Sequence, residues 1–161
     1  MFRFQYSVIT KAEPGLCWEV FSDCSRWNNF ADVYGAIRWI EGLAWEPGSR
    51  LEIEILRPFH TKIEHVITSC VPGKRVGWID HAMGVALAQW VTFESMPKGG
   101  TRITTWGDLV HSGRPIAGRS TEEMITGFTK VWYENFRAIS DQIAVGAAWL
   151  SQAPLVFPTD L

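Results

Sequence analysis

Residues 120–143, STEEMITGFTKVWYENFRAISDQI, decide the fold. Ile125, Phe128, Trp132, Phe136, Ile139 and Ile143 recur every three or four residues and form one continuous apolar stripe. Glu123, Lys130, Glu134, Arg137 and Asp141 fall on the other side. Ser120-Thr121-Glu122-Glu123 has the spacing of a capping box, in which the serine hydroxyl and the Glu123 carboxylate each answer a free amide of the first turn. The period predicts one amphipathic helix of roughly 30 Å, long enough to cross a small sheet. Gly146 and Pro154 mark its expected decay into a tail made apolar by Trp149, Leu150, Leu155, Val156 and Phe157.

Upstream of this helix the period changes to two. Phe2, Phe4, Tyr6 and Val8 alternate with Arg3, Gln5 and Ser7, a half-buried strand that Glu13-Pro14-Gly15 ends. Leu16, Cys17, Val20 and Phe21 then give a short helix, and Ser22-Asp23 caps a second helical turn through Trp27 to Phe30. Six more strands are expected between residues 33 and 110. Leu51, Ile53 and Ile55 alternate with Glu52 and Glu54, and Ile63, His65 and Ile67 with Lys62, Glu64 and Thr68. Val76, Trp78 and Asp80 share one face of the next strand; Leu87–Glu94 and Thr101–Val110 follow. Pro47-Gly48, Arg57-Pro58-Phe59, Pro72-Gly73-Lys74, His81–Gly84 and Pro97–Gly100 punctuate them. Connections this short make an antiparallel meander. The expected class is α+β: a seven-stranded curved antiparallel sheet wrapped around a long C-terminal helix, with two short helices between strands one and two. Residues 1–145 are expected as a single domain and 146–161 as an apolar tail, docked on the body or pairing subunits into a homodimer.

Composition narrows the function. The chain has 161 residues, 47% hydrophobic and 20% charged, with 15 Lys and Arg against 17 Asp and Glu. A net charge of −2 offers no basic excess for phosphates, so no nucleic-acid partner is expected. No apolar run is long enough for stable membrane insertion. Cys17, Cys24 and Cys70 form no CxxC pair, which argues against a disulfide framework or a zinc ribbon. The start at Met1-Phe2-Arg3-Phe4 lacks a secretory signal pattern, and a cytoplasmic protein is expected. No P-loop, dinucleotide fingerprint or nucleophile elbow is present, so neither cofactor nor metal is expected. Nine Trp residues are many for this length, enough to fill a core or to wall a site for an apolar guest.

Several stretches carry a resemblance to a known group. Ala12-Glu13-Pro14 opens the first helix, and Asp23-Cys24-Ser25-Arg26-Trp27-Asn28-Asn29-Phe30 is similar to an Asp-x-x-x-Trp-x-x-aromatic turn. Pro72-Gly73-Lys74-Arg75-Val76-Gly77-Trp78 matches a Pro-x-Lys/Arg-aliphatic-x-Trp hairpin, and Gly100-Thr101-Arg102-Ile103-Thr104 a Gly-Thr-Arg-aliphatic strand start. Over residues 2 to 143 the chain resembles the START-like, or Bet v 1-like (SRPBCC), helix-grip superfamily, in particular its polyketide cyclase/dehydrase-like branch. The resemblance implies a pocket between sheet and C-terminal helix that holds apolar or amphipathic small molecules. These motifs are structural and shared by many activities.

Alternation leads to the same place. Ile53, Ile55, Ile63, Ile67, Trp78, Gln89, Val91, Phe93 and Thr105 fall on the inward face, with Phe128 and Trp132 opposite them on the helix. His65 and Asp80 lie on that face too, a candidate acid–base pair for cyclisation or dehydration. The blander account of His65 is a buried imidazole bonded to a neighbour. Turns 56–60, 81–84 and 111–119 share one rim of a meander and gather Arg57, His60, His81, His111, Arg114 and Arg119. Anion capture by the arginines is one reading of that rim and solvated loop residues another. The histidine spacing does not favour a metal. The glycines of the 111–119 loop suit a lid.

Three functions follow as expectations. The first is binding, transport or sequestration of an apolar or aromatic small molecule or lipid in an internal cavity. The second is a cyclase or dehydratase using His65 and Asp80. The third is an interaction module dimerising through its tail.

Overall fold

Turn chemistry and alternation place every strand. The computed structural model describes residues 2–111 and 118–152, with side chains for 2–110 and 118–146. β1 is Phe2–Thr10, followed by α1 (Pro14–Ser22) and a 3-10 helix (Cys24–Asn29). β2 (Tyr34–Glu41), β3 (Arg50–Ile55), β4 (Thr61–Val71), β5 (Arg75–Ala82), β6 (Val85–Ser95) and β7 (Thr101–His111) then run without interruption, and α2 spans Thr121–Gln152. Pro14 occupies the first turn of α1, where its missing N–H costs nothing. Asp23 caps the 3-10 helix by accepting from the Ser25 N–H at 3.1 Å.

The seven strands form one antiparallel sheet in the order β1-β7-β6-β5-β4-β3-β2. The meander therefore closes back on β1, which pairs with β7 from Phe2↔Leu109 to Thr10↔Thr101. That pairing of the first strand with the last is the one long-range step in the sheet. β5 and β6 join through Met83 and Gly84 alone, both at positive φ (46° and 76°), the twist a two-residue hairpin requires. Register shifts interrupt β2–β3, β4–β5 between Ile67 and Ser69, and β6–β7 between Ala86 and Leu87. Irregularities of this kind bend strands and sharpen twist, so the sheet can cup a helix.

α2 lies on the inner face and is fastened at several points. Trp132 Nε1 donates to Tyr34 Oη on β2 at 2.9 Å, and Asn135 Nδ2 to the Phe30 carbonyl at 2.8 Å. Tyr6 on β1 donates its hydroxyl proton to Glu134. Thr10 Oγ1 and the Lys11 N–H both donate to Asp141 Oδ1, at 2.6 and 2.7 Å. The expected stripe faces the sheet: Phe136 and Trp132 are buried, and Ile139 and Ile143 pack against the core. The capping box forms, with the Ser120 N–H donating to Glu123 Oε2 (3.0 Å) and the Glu123 N–H to Ser120 Oγ (3.2 Å). The helix runs on through Gly146 to Gln152, past the expected start of the tail; residues 153–161 lie outside the described residues.

Phe21 of α1 is the centre of the core. Its ring sits 5.5–6.3 Å from those of Trp27, Trp45, Trp78, Phe93, Trp132 and Phe136. Trp18 closes over Phe93 at 5.9 Å. α1 thus stops one end of the space between sheet and α2.

Candidate functional site

The other end is hollow. A cavity of about 640 Å³ lies between the inner face of the sheet and α2, bounded by Phe21 and Trp27 at depth and by Met83, Met124 and Phe128 toward the rim. This volume falls within the usual range of small-molecule sites. The wall is mainly apolar and aromatic. Ile53 and Ile55 come from β3, Ile63 from β4, Trp78 from β5, and Trp132 and Phe128 from α2. Each strand contributes alternate residues, because only every second side chain of a strand reaches one face.

One polar row crosses this wall. His65, Asp80 and Gln89 come from the adjacent strands β4, β5 and β6, and all three line the cavity. His65 Nε2 lies 2.5 Å from Asp80 Oδ1, and Gln89 Nε2 donates to Asp80 Oδ2. The His65 ring stacks on Trp78 at 5.5 Å and 12°, with Trp27 at 6.2 Å on its surroundings. The close His65–Asp80 contact is off the line of an ideal hydrogen bond, and Asp80 Oδ1 has no aligned partner. His65 Nδ1 and Trp78 Nε1 are also buried without a partner. Asp80 is only 9% exposed, and His65 is its one ion-pair neighbour among the described residues. Burial above all pushes the Tyr34 phenol far up, opposed by the Trp132 N–H, so its hydroxyl stays neutral. The Tyr133 phenol is raised for the same first reason, with the neighbouring Thr105 hydroxyl opposing and the Asp80 charge adding to the rise.

The structure divides the residues expected on the inner face into two groups. Ile53, Ile55, Ile63, Trp78, Gln89, Phe128 and Trp132 line the cavity with His65 and Asp80. Ile67, Val91, Phe93 and Thr105 point the same way but are sealed in the core and do not reach the hollow. The rim divides as well. Arg57 lines the mouth, its guanidinium 2.9 Å from Asp32. His60 pairs with Glu54 at 2.9 Å, and Glu54, next to inward Ile53 and Ile55, belongs to the outer face. His81 is exposed and opposite Glu64, also on the outer face. The side chain of His111, Arg114 and most of the 111–119 loop lie outside the described residues. Among the described residues, no three His, Cys, Asp or Glu side chains gather as a metal set, and no helix is long and apolar enough to cross a membrane.

Sequence reading missed much of the cavity. Phe21, Trp27 and Val33 enter from the segment between β1 and β2, Tyr34 from the start of β2, and Pro58 and Phe59 from the β3–β4 turn. Thr129 and Tyr133 complete the helix side. Tyr133 sits one residue from Trp132 on the stripe, and a wider helical face would have included it.

No protein-family model matches the chain, and no curated protein matches it. Solved structures do. A START superfamily protein from Mycobacterium smegmatis superposes with a TM-score of 0.71 at 8% identity, covering 88% of this chain and 98% of that one. Ara h 8.0201, a Bet v 1 allergen, gives 0.70 at 10% identity, covering 86% and 97%. An uncharacterised protein from Rhizobium leguminosarum gives 0.70 at 16% identity, covering 88% and 95%. At these identities the likeness shows the fold alone, a START/Bet v 1-like helix-grip fold.

Proposed function

With the helix-grip fold as premise, we propose that the chain binds an apolar or aromatic small molecule, or a lipid, in its internal cavity. The observation that carries this reading is the 640 Å³ hollow itself, walled by Ile, Trp and Phe side chains and open at one rim. A core packs to the density of an organic crystal when its elements can close on one another. Here α1 plugs one end and the opposite end stays empty. An apolar void of that size gives up contacts that a guest would restore.

The test is a thermal-shift screen of polycyclic aromatics, steroids and acyl lipids, paired with native mass spectrometry of the purified protein. A guest at a hundred times its Kd stabilises by about 2.7 kcal/mol. For a chain of this size that is a rise of about 5–10 °C in Tm. If no apolar compound raises Tm and no retained guest is detected, the reading fails.

A second reading, turnover by a cyclase or dehydratase, is favoured by the His65–Asp80 contact. Against it, Nε2 is already on Asp80 and Nδ1 is covered. A general base needs a nitrogen within reach of the proton it takes. Binding therefore ranks first. A His65→Ala variant that turns over a true substrate unchanged would remove the second reading.

A further inference from the structure

We infer that the end of the guest lying against His65, Asp80 and Gln89 carries a hydrogen-bond donor and no negative charge: a hydroxyl or a protonated amine on an apolar body. This rests on the binding reading above. A carboxylate accepts hydrogen bonds and donates none. Gln89 turns one amide N–H to Asp80, and its carbonyl end is also an acceptor. His65 brings Nε2 to Asp80, while Trp78 Nε1, a donor, is covered. An acceptor oxygen of the row, Asp80 Oδ1, is left without a hydrogen-bond partner.

Charge points the same way. Asp80 is 9% exposed and has no Lys or Arg partner among the described residues. Among the described residues, the one Lys or Arg lining the cavity is Arg57 at the mouth, already paired with Asp32 at 2.9 Å. A carboxylate or phosphate pushed in head-first would place a second anion beside Asp80, with no Lys or Arg beside it among the described residues to share. A protonated amine would instead meet the carboxylate beside the indoles of Trp27 and Trp78, rings of a kind that attracts cations. A hydroxyl would donate to either oxygen-bearing side chain.

The experiment compares four probes on one scaffold by calorimetry at neutral pH: pyrene, hydroxypyrene, pyrenemethylamine and pyrenecarboxylate. Hydroxypyrene and pyrenemethylamine should bind at least about tenfold tighter than pyrenecarboxylate. Asp80→Asn should close that gap by about tenfold, because the amide removes the charge and supplies a donor. Arg57→Gln should leave the ranking unchanged. Pyrenecarboxylate binding as tightly as hydroxypyrene to the wild type overturns the inference while the cavity reading survives. A ranking that follows Arg57 instead of Asp80 overturns it too. Failure of all four probes, pyrene included, overturns the cavity reading and this inference with it. Should Asp80→Asn not fold, the wild-type ranking and Arg57→Gln still decide.

Discussion

Asp141 shows how much of this fold rests on single polar side chains. It stands on α2, yet Thr10 and Lys11 at the end of β1 donate to its Oδ1, and Arg137 Nη1 reaches its Oδ2 at 3.0 Å. Partial burial alone would raise its pKa; the bonds from Thr10 and Lys11 and the Arg137 charge outweigh that and hold it below the usual carboxylate value. Because the folded pKa lies below the unfolded value of about 3.9, its stabilisation is complete above that pH. It is lost as pH falls through the folded pKa. Asp141→Asn should cost about 1–2 kcal/mol at neutral pH, read by urea denaturation. The difference from wild type should shrink as pH drops below about 4, and an undiminished difference there would refute the assignment. Gly107 is a second such point. A Cβ there would lie 2.5 Å from the Phe4 ring and 2.8 Å from the Ala88 carbonyl, so only glycine lets Phe4 cross β7 beneath Leu87 and Leu109.

At the scale of elements, α2 is both the roof of the cavity and its frame. Its first turn carries Thr121, Met124 and Ile125 at the mouth, directly after the capping box. Ser120→Ala should cost about 1 kcal/mol and should speed amide exchange selectively in that turn. Equal protection in variant and wild type would show that packing alone holds the turn. The strands and α2 were legible because one face of each is wet: Glu52, Glu54, Glu64 and Lys62 mark the outer face as clearly as the Ile residues mark the inner. Alternation reports the face and not the depth. Ile67, Val91, Phe93 and Thr105 share the inner face with Ile53 and Trp78, but Trp18 and Phe21 of α1 cover Phe93, and Thr105 is fully buried with its hydroxyl donated to the Trp90 carbonyl. Where α1 comes to rest is a matter of tertiary packing, which no period in the chain records. The same holds for Trp27 and Tyr34, which are buried in the core and also edge the cavity wall. The His65–Asp80 neighbourhood was legible for a simpler reason, since a hairpin register between two alternating strands brings those positions opposite each other.

For the whole molecule, the hollow is the feature that stability and binding share. Thr129 faces it from the third turn of α2, buried and small. Thr129→Phe should occupy part of the empty space, leave Tm equal or higher, and weaken any apolar guest by about tenfold. A fall in Tm with unchanged guest affinity would mean that the space is not the binding site. The same hollow carries its own optical gauge. Among the described residues, Trp27, Trp78 and Trp132 are the tryptophans on its wall. An occupant that absorbs in the near ultraviolet would drain excitation from the indoles around it by energy transfer, so intrinsic fluorescence should report filling of the cavity without any attached label.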